Sequence, residues 1–438
     1  MSHLNVTDGG WRNRINNAEG PSETAARWDV LRIAMISSQF PPLWGGVGSV
    51  VHGQVERLAA RGHEVHVIMR PIPEGTSVPD IEGNVTVHHV PMLRLPMAFT
   101  TSFAKNAVKK IVELGNDFDV VQSHSNMSLL QKRHYWDITS PICSTMHGTW
   151  LGERSMITWR DVTPSFSSIN DLAVMYLSPI FDVYEDYALT YSNAACIECD
   201  NEMRAVLGRG VHNVHGDDRI MRLSAGIDAQ RYNPENADPE ALVKYGADPD
   251  APTVLFVGRL AARKGIFDMI EIFAGAHKTH PRSQLVVLGE GPQESSLRRR
   301  VQEMGLTDVV HFTGPVPFPD LQAMYATADV VLYPSFWEGQ GLVAGEAMAS
   351  GTPVVAAEMG LMPELIRPGE NGFLHPVRNV AIGIDHLDTI LEDPDLRKRL
   401  GQQGRQDILD LWEWEHHVNR LEQVYEEVSG DSKPPRDA

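Results

Sequence analysis

Short runs of apolar residues alternate, along most of this 438-residue chain, with stretches in which apolar positions recur at helical spacing. The first helical stretch carries Val47, Val50, Val51, Val55 and Leu58 on one face. Strands are predicted at 31–36, 64–69, 84–90, 119–123, 142–145 and 194–198 in the first half, and at 253–257, 284–288, 309–312, 329–333 and 353–356 in the second. Strands that alternate with helices predict parallel sheets covered by helices. The expected fold class is therefore α/β, with two doubly wound Rossmann-like domains facing a cleft.

Composition divides the chain into segments. The first residues are polar, and the stretch that follows Asp228 is rich in Pro, Asp and Asn, as interdomain connections are. The last helical pattern places Trp414, Val418 and Leu421 on one apolar face. We predict a polar N-terminal extension at 1–28, a first domain at 29–228, a linker at 229–252, a second domain at 253–405, a C-terminal helix at 406–428 and a disordered tail at 429–438.

Charge and composition exclude several classes of protein. The formal net charge of −19 disfavours a nucleic-acid binder, because phosphate backbones are bound by clusters of Lys and Arg. The sequence has no apolar run of the roughly 18 residues needed to span a membrane, and its start lacks a signal-peptide core, so we expect a cytoplasmic protein. Cys196 and Cys199 have the spacing of a redox or metal pair. They lie in an apolar strand-like run without a second pair, and we interpret them as buried strand residues.

The segment from 334 to 355 carries the clearest chemical signal. Glu338 follows the strand at 329–333, and the carboxyl edge of an open α/β sheet is where ligands bind. A glycine-rich turn then leads into a short helix, whose free N–H groups and positive dipole favour an anion. Glu346, on the first turns of this helix, can accept hydrogen bonds from the vicinal hydroxyls of a ribose. The candidate nucleotide-sugar ligands in this segment are Gly339, Gln340, Gly341, Leu342, Val343 and Glu346. The alternative interpretation is a pair of solvated acids near a helix end.

Two further turns have the composition of phosphate sites. Arg259 and Lys264 follow a predicted strand and could stabilise the charge of a departing diphosphate. A solvated basic helix start is the alternative, but cations there are poorly placed relative to the helix dipole. Gly45 and Gly46 stand at the first helix start, where backbone N–H groups can approach a phosphate or an acceptor. Neither a Walker P-loop nor a G-x-G-x-x-G fingerprint occurs, which removes the usual support for a kinase or a dehydrogenase.

The frame from Pro334 to Val355 resembles the retaining glycosyltransferases of group 1, the family 4-like enzymes of the GT-B fold, which include sucrose synthases, bacterial glycogen synthase relatives and phosphatidylinositol mannosyltransferase. Its two glutamates, Glu338 and Glu346, are separated by seven residues as in that family. The sequence departs from the pattern at Gln340, where the family usually has an aromatic residue, and at Gly345, where it usually has a large apolar one. These departures concern donor-sugar selectivity more than the reaction.

The resemblance implies roles for individual residues. Arg259 and Lys264 would carry the charge of the leaving group, and Glu338 would hold hydroxyls of the donor sugar. His147 matches a family histidine that hydrogen-bonds the donor sugar, and His124 is an acceptor-side candidate. The implied catalytic set is Arg259, Lys264, Glu338 and His147. In the family, Val316 would pack against the nucleobase, Gly45 and Gly46 would face the donor, and the final helix would cross back onto the first domain.

The implied reaction moves a hexosyl group from a UDP-, GDP- or ADP-sugar to a hydroxyl acceptor with retention of configuration, by front-face attack guided by the leaving phosphate. No Asp-x-Asp metal motif stands at a strand end, so we expect no required metal or other cofactor. Two alternatives remain open: a nucleotide-sugar epimerase of similar architecture, and an inactive nucleotide-sugar-binding protein. The acceptor is left open between a glycan, a lipid and a small molecule. A peripheral membrane contact through the apolar and basic stretch at 92–110 also stays open.

Overall fold

A computed structural model describes residues 30–41, 45–93, 99–125, 128–150, 152 and 168–431. The predicted N-terminal extension at 1–28 and residues 432–438 of the predicted tail lie outside these described residues. Among the described residues, no helix is both long enough and apolar enough to cross a membrane.

The first domain is built on a seven-stranded sheet in which every neighbouring pair is parallel. Its strands are β1 (Arg32–Ile36), β2 (Glu64–Met69), β3 (Val85–His89), β4 (Val120–His124), β5 (Ile142–Met146), β6 (Ala194–Ile197) and β7 (Ile220–Arg222). The strand order is β3-β2-β1-β4-β5-β6-β7. The helices of this half are α1 (Gly46–Ala60), α2 (Phe99–Glu113), α3 (His134–Asp137), α4 (Ser168–Tyr191) and α5 (Asp200–Gly208). The predicted apolar face of α1 is buried through Val50, Val51, Val55 and Leu58.

The second domain repeats the scheme on a six-stranded parallel sheet of order β10-β9-β8-β11-β12-β13. Its strands are β8 (Thr253–Val257), β9 (Gln284–Leu288), β10 (Val310–Gly314), β11 (Val330–Tyr333), β12 (Val354–Ala357) and β13 (Gly372–His375). Its helices are α6 (Glu240–Val243), α7 (Ile266–His277), α8 (Glu294–Glu303), α9 (Phe318–Thr327), α10 (Leu342–Ala349), α11 (Met362–Leu365), α12 (Val380–Glu392) and α13 (Pro394–Asp407), and α14 (Trp414–Ser429) ends the described chain. The predicted pair of doubly wound α/β domains is confirmed.

Each sheet contains one strand that the sequence pattern did not predict. These are β7 and β13, which have three and four residues and lie at an end of their sheets. Runs this short carry too little periodicity to be recognised. They become strands because a neighbouring strand offers its backbone groups: Ala195 pairs with Ile220, and Val354 pairs with Gly372.

The strand order locates a ligand crevice in each domain. It reverses direction between β1 and β4 in the first sheet and between β8 and β11 in the second. Ligands of open α/β sheets bind outside the carboxyl ends of the strands at such reversal points. The turns after β8 and β11 carry Arg259, Lys264 and Glu338, so these predicted site residues flank the reversal point of the second sheet.

The two crossings between the domains lie side by side. Ile227 N donates a hydrogen bond to Trp412 O at 2.7 Å. Beyond this point α14 returns to the first domain, where Trp414, Val418 and Leu421 join its buried core. The predicted linker at 229–252 is itself folded onto the second domain, because Tyr232 and Leu242 lie in that domain's core. The chain thus crosses between the domains at two adjacent points, and we expect these paired crossings to act as the hinge.

Candidate active site

Lys264 and Glu338 form an ion pair at the carboxyl edge of the second sheet. Their side chains are 14% and 15% exposed, so the pair is largely shielded from water. Lys264 comes from the short 3₁₀ turn after β8, and Glu338 comes from the loop after β11. The structure thus brings together the cation and the carboxylate that the sequence analysis assigned to the leaving group and to the donor sugar.

Gly265 accounts for this approach of the two loops. Its φ of 63° lies in the left-handed region, and a Cβ at this position would lie 2.0 Å from Pro334 O. Only glycine fits both conditions. A hydrogen bond from Phe336 N to Arg263 O, at 2.8 Å, ties the same two loops together. The backbone of these two loops therefore places Lys264 next to Glu338.

The electrostatics of Glu338 follow from its surroundings. Burial raises the pKa of the Glu338 carboxyl, but the nearby positive charges of Lys264 and Arg263 and the hydrogen bonds from Lys264 and Tyr333 outweigh it and leave the pKa below its ordinary value. Glu338 is consequently ionised at neutral pH and acts only as a hydrogen-bond acceptor. An ionised carboxylate here can hold sugar hydroxyls, while Lys264 keeps a positive charge beside it.

The other residues that were predicted to contact the nucleotide sugar lie at the edges of the two sheets. Arg259 follows β8 and is exposed. Gly45 caps α1, Gly46 is its first residue, and the first turn of this helix carries no acidic side chain. The N-terminus of a 15-residue helix without an acidic cap favours an anion. Val316 follows β10 and is partly buried against the core of the second domain.

The glycine-rich turn leads into α10 as predicted, with Gly341 as its N-cap and Leu342 and Val343 as its first residues. The side chain of Gln340 is held by the first domain. Its Oε1 accepts from Ala225 N at 2.6 Å, and its Nε2 donates to Ala225 O at 2.5 Å. A donor contact at Gln340 is therefore expected from its backbone, since both polar ends of its side chain are engaged. The family aromatic is replaced by a polar link between the domains.

Gly345, the second departure from the family pattern, is also explained by the domain interface. A Cβ at this position would lie 2.5 Å from Ile227 Cδ1 and 2.8 Å from Ile227 Cγ1. Ile227 belongs to the crossing between the domains and is 4% exposed. The volume that a large apolar side chain would take at position 345 is thus filled by Ile227 from the hinge.

Glu346 lies on α10 with two tyrosine hydroxyls close to it. Tyr325 donates from its hydroxyl to Glu346 Oε2 at 2.8 Å, and Tyr232 provides a second hydroxyl hydrogen bond. Burial raises the pKa of Glu346, and these two hydrogen bonds oppose the rise. The carboxylate lines a cavity of about 80 Å³ between the domains, whose other wall includes His52 and Arg57 of α1. A cavity of this size holds only a few waters.

The predicted histidines of the first domain form a chain with an unpredicted glutamate. His147 Nδ1 lies 2.7 Å from Glu198 Oε1, and His147 Nε2 lies 2.8 Å from His124 Nδ1. The planes of the two imidazole rings are 15° apart and their centroids are separated by 5.1 Å, as expected for rings joined edge to edge by this contact. Burial, together with the nearby His147 and His417, places the pKa of His124 well below its usual value. Both ring nitrogens of His147 thus have partners within the first domain.

Several residues of the site were missed by sequence reasoning. Trp337, inside the recognised frame, packs on Gly148 and donates from Nε1 to Glu202 Oε1 at 3.1 Å. Gly339, a predicted donor ligand, is packed so closely that a Cβ there would lie 2.8 Å from Glu198 Oε2. Glu198 directly follows β6, and its place at a strand end was the available signal. These contacts cross between the domains, and a sequence pattern does not show which strand ends face one another.

A further interdomain contact involves Glu364. Its Oε1 accepts from Asp200 N at 2.8 Å, and its Oε2 lies 2.5 Å from Arg222 Nη2. Burial raises the pKa of Glu364, and Arg222 opposes the rise.

Within the described ranges, no group of three or more His, Cys, Asp or Glu side chains has the arrangement of a metal site.

Comparison with known families agrees with this geometry. The model for glycosyl transferases group 1 matches residues 238–407, and the model for glycosyltransferase family 4 matches residues 44–180. The chain belongs to the group 1, family 4-like glycosyltransferases. The first match covers the Lys264–Glu338 pair, and the second covers His124 and His147. The candidate site residues of both domains therefore lie within segments that match the family models.

Individual relatives extend over nearly the whole chain. A glycogen synthase of Mycobacterium tuberculosis is 28% identical over 93% of this glycosyltransferase and 97% of its own length. A D-inositol 3-phosphate glycosyltransferase of Corynebacterium efficiens is 28% identical over 91% and 96% of the two chains. Among solved structures, a sucrose-phosphate synthase from Thermosynechococcus elongatus superposes with a TM-score of 0.72, at 24% identity, over 90% of this chain and 98% of that one. This last similarity concerns the fold, which is GT-B.

Proposed function

We propose that this glycosyltransferase moves a hexosyl group from a nucleotide-diphosphate sugar to a hydroxyl acceptor with retention of anomeric configuration. The observation that carries the proposal is the buried pair of Lys264 and Glu338 at the reversal point of the second sheet. A carboxylate that is ionised and a lysine that is held beside it suit a donor that combines sugar hydroxyls with a diphosphate.

In this proposal the charge of the leaving group is carried by cations of the second domain. Negative charge develops on the diphosphate as the bond between sugar and oxygen breaks, and pre-placed cations stabilise that charge without reorganising. Lys264 and the exposed Arg259 supply the cations, and the N-terminus of α1 at Gly46 supplies backbone N–H groups from the opposite domain. None of these groups requires a metal ion, and we propose a metal-independent reaction.

The same proposal gives roles to the remaining residues. Glu338 holds hydroxyls of the donor sugar, and Glu346 holds the ribose, exchanging its tyrosine partners for ribose hydroxyls. A nucleotide sugar needs a site of about 300 Å³ or more, far above the 80 Å³ of the cavity beside Glu346. We therefore expect the domains to open at the hinge to admit the donor and to close again so that water is excluded.

The acceptor hydroxyl would attack the anomeric carbon of the donor sugar from the same face as the departing phosphate. The proton of that hydroxyl would pass to the phosphate. The relatives named above act, by their names, on quite different acceptors, so their similarity favours no single acceptor class. We propose a hydroxyl acceptor, whether a glycan, a lipid or a small molecule, that binds against the first domain. The peripheral membrane contact considered from the sequence remains a prediction.

Thermal unfolding against a panel of UDP-glucose, GDP-mannose and ADP-glucose tests the donor assignment. A ligand at about one hundred times its Kd stabilises the folded state by about 2.7 kcal/mol. We expect one donor to raise the Tm, and Lys264→Ala to reduce that rise. Absence of a shift with every nucleotide sugar would contradict the proposal. A shift without any turnover, with or without an acceptor, would identify an inactive binding protein instead.

A further inference from the structure

The carboxyl ends of three neighbouring strands place three titratable side chains in a row. His124 ends β4, His147 follows β5, and Glu198 follows β6, and these strands are adjacent in the first sheet. The row is continuous, since 2.7 Å separates Glu198 Oε1 from His147 Nδ1 and 2.8 Å separates His147 Nε2 from His124 Nδ1. The side chains of His147 and Glu198 are each 4% exposed.

The chemistry of the partners decides which nitrogen carries hydrogen. An ionised carboxylate offers only acceptor oxygens, so His147 Nδ1 must be the donor toward Glu198. In a neutral His147 ring, Nε2 then carries a lone pair, which accepts from His124 Nδ1. His124 Nε2 is left without hydrogen, and within the described part of the chain this buried atom has no hydrogen-bond partner. With both imidazole rings neutral, the carboxylate at one end of the row thus determines the tautomers of both histidines.

A sugar hydroxyl can donate a hydrogen bond to the lone pair of His147 Nε2. We propose that Glu198 is a positioning residue that holds His147 in the tautomer with hydrogen on Nδ1, and that His124 occupies the Nε2 lone pair until a hydroxyl of the donor sugar replaces it. This inference rests on the proposed function, in which His147 contacts the donor sugar. The buried Nε2 of His124 has no partner within the described part of the chain, so the row leaves one hydrogen-bonding group of His124 unsatisfied.

The position of Glu198 links the row to the donor loop. A Cβ on Gly339 would lie 2.8 Å from Glu198 Oε2, so the backbone beside Glu338 packs directly against the carboxylate that orients His147. Movement of the second domain would shift this loop relative to Glu198. The contact between Gly339 and Glu198 consequently connects donor binding at Glu338 with the orientation of His147.

NMR of the full-length protein with ¹⁵N-labelled histidine tests the inference without activity. His147→Asn assigns the signals of His147 by their loss. We expect one protonated and one bare nitrogen in His147, with hydrogen on Nδ1, and we expect Glu198→Ala to remove this preference. Glu202→Gln is the matched control, because Glu202 is another buried carboxylate of the same region whose partner is Trp337. Hydrogen on Nε2 in the wild type would overturn the proposal, even if Glu198→Ala fails to fold.

Donor titration tests the exchange. The nucleotide sugar that shifts the Tm should move the signals of His147 Nε2 and His124 Nδ1 and leave His147 Nδ1 unchanged, whereas the nucleoside diphosphate alone should move neither. In kinetics, Glu198→Ala should lower kcat/KM by about 10- to 100-fold, the range seen when a carboxylate that orients a metal-bound histidine is lost, while Glu198→Gln should retain most of it. Unmoved histidine signals with bound donor would refute the exchange. Failure of every nucleotide sugar to bind would refute the proposed function but leave the tautomer result standing.

Discussion

Trp337 Nε1 donates a hydrogen bond to Glu202 Oε1 at 3.1 Å, and this bond joins the loop that carries Glu338 to the first domain. Both side chains are buried, at 8% and 6% exposure. Burial raises the pKa of Glu202, and the hydrogen bonds from Thr149 and Trp337 oppose that rise. The loop that carries Glu338 is thus linked to the first domain by an indole that reaches a buried carboxylate across the cleft.

Trp337→Phe should destabilise the closed arrangement while keeping an aromatic ring in place. The variant removes the indole donor and leaves Glu202 with one partner fewer, which costs about 1–3 kcal/mol. The free energy of unfolding, measured by urea denaturation, checks this. Glu202→Gln is the control, because an amide still accepts from the indole and should cost less. A Trp337→Phe variant as stable as the wild type would show that this bond contributes little.

Lys264→Met should lower donor turnover by orders of magnitude, because the variant removes a cation at the leaving group. It should also raise the pKa of Glu338, since burial would no longer be offset by the neighbouring lysine. The dependence of kcat/KM on pH should therefore show an acidic limb displaced to higher pH. Lys244→Met is the control, because Lys244 is a surface lysine of the second domain paired with Asp320. Near wild-type turnover in Lys264→Met would show that the Lys264–Glu338 pair is not part of the active site.

Glu338→Gln is the complementary change. The amide keeps the size of the side chain and removes the charge that faces Lys264. We expect a loss of turnover by orders of magnitude with retained folding, measured by donor hydrolysis and by circular dichroism. Turnover comparable to that of the wild type would contradict a role for Glu338 in holding the donor sugar.

Gln340→Leu should loosen the link between the domains. The change leaves both backbone groups of the buried Ala225 without the side chain that now pairs with them. The cost is about 1–3 kcal/mol for each group that stays unsatisfied. Small-angle scattering should report a larger radius of gyration, and denaturation should report lower stability. Unchanged values of both would show that other contacts set the position of the domains.

Gly345→Ala should overpack the hinge, because its Cβ would lie 2.5 Å from Ile227 Cδ1. Overpacking of this kind typically costs about 1–3 kcal/mol. Ile227→Ala, which makes room at the same contact, should recover part of the loss when the two changes are combined. A double-mutant cycle of unfolding free energies measures this coupling. Additive effects of the two changes would contradict the proposed contact.

Glu185 should make the stability depend on pH. Burial raises the pKa of Glu185 from its ordinary 4.5 to about 8, against the opposing effects of Trp150 N–H and Arg209. The folded state therefore binds a proton that the unfolded state has lost between these two values. Its contribution to stability is greatest below pH 4.5 and is lost as the pH rises to about 8. Unfolding free energies across this window should fall less steeply for Glu185→Gln, and equal slopes would contradict the shift.

Much of the fold was predictable from local pattern. Buried parallel strands are short apolar runs, and the helix after β1 repeats apolar residues on one face, so both follow from neighbours in the sequence. The strands β2, β8 and β9 have the predicted bounds. The short strands β7 and β13 were not predictable, because their extended form depends on pairing with β6 and β12.

The candidate site divides in the same way. Residue types and spacing, together with the family resemblance, singled out Glu338, Glu346, Arg259 and Lys264, since strand ends and helix starts are local features of the sequence. The pairing of His147 with Glu198, of Trp337 with Glu202 and of Gln340 with Ala225 depended on tertiary structure. Each of these bonds joins segments far apart in the chain, and only the packing of sheets and domains determines which of them meet.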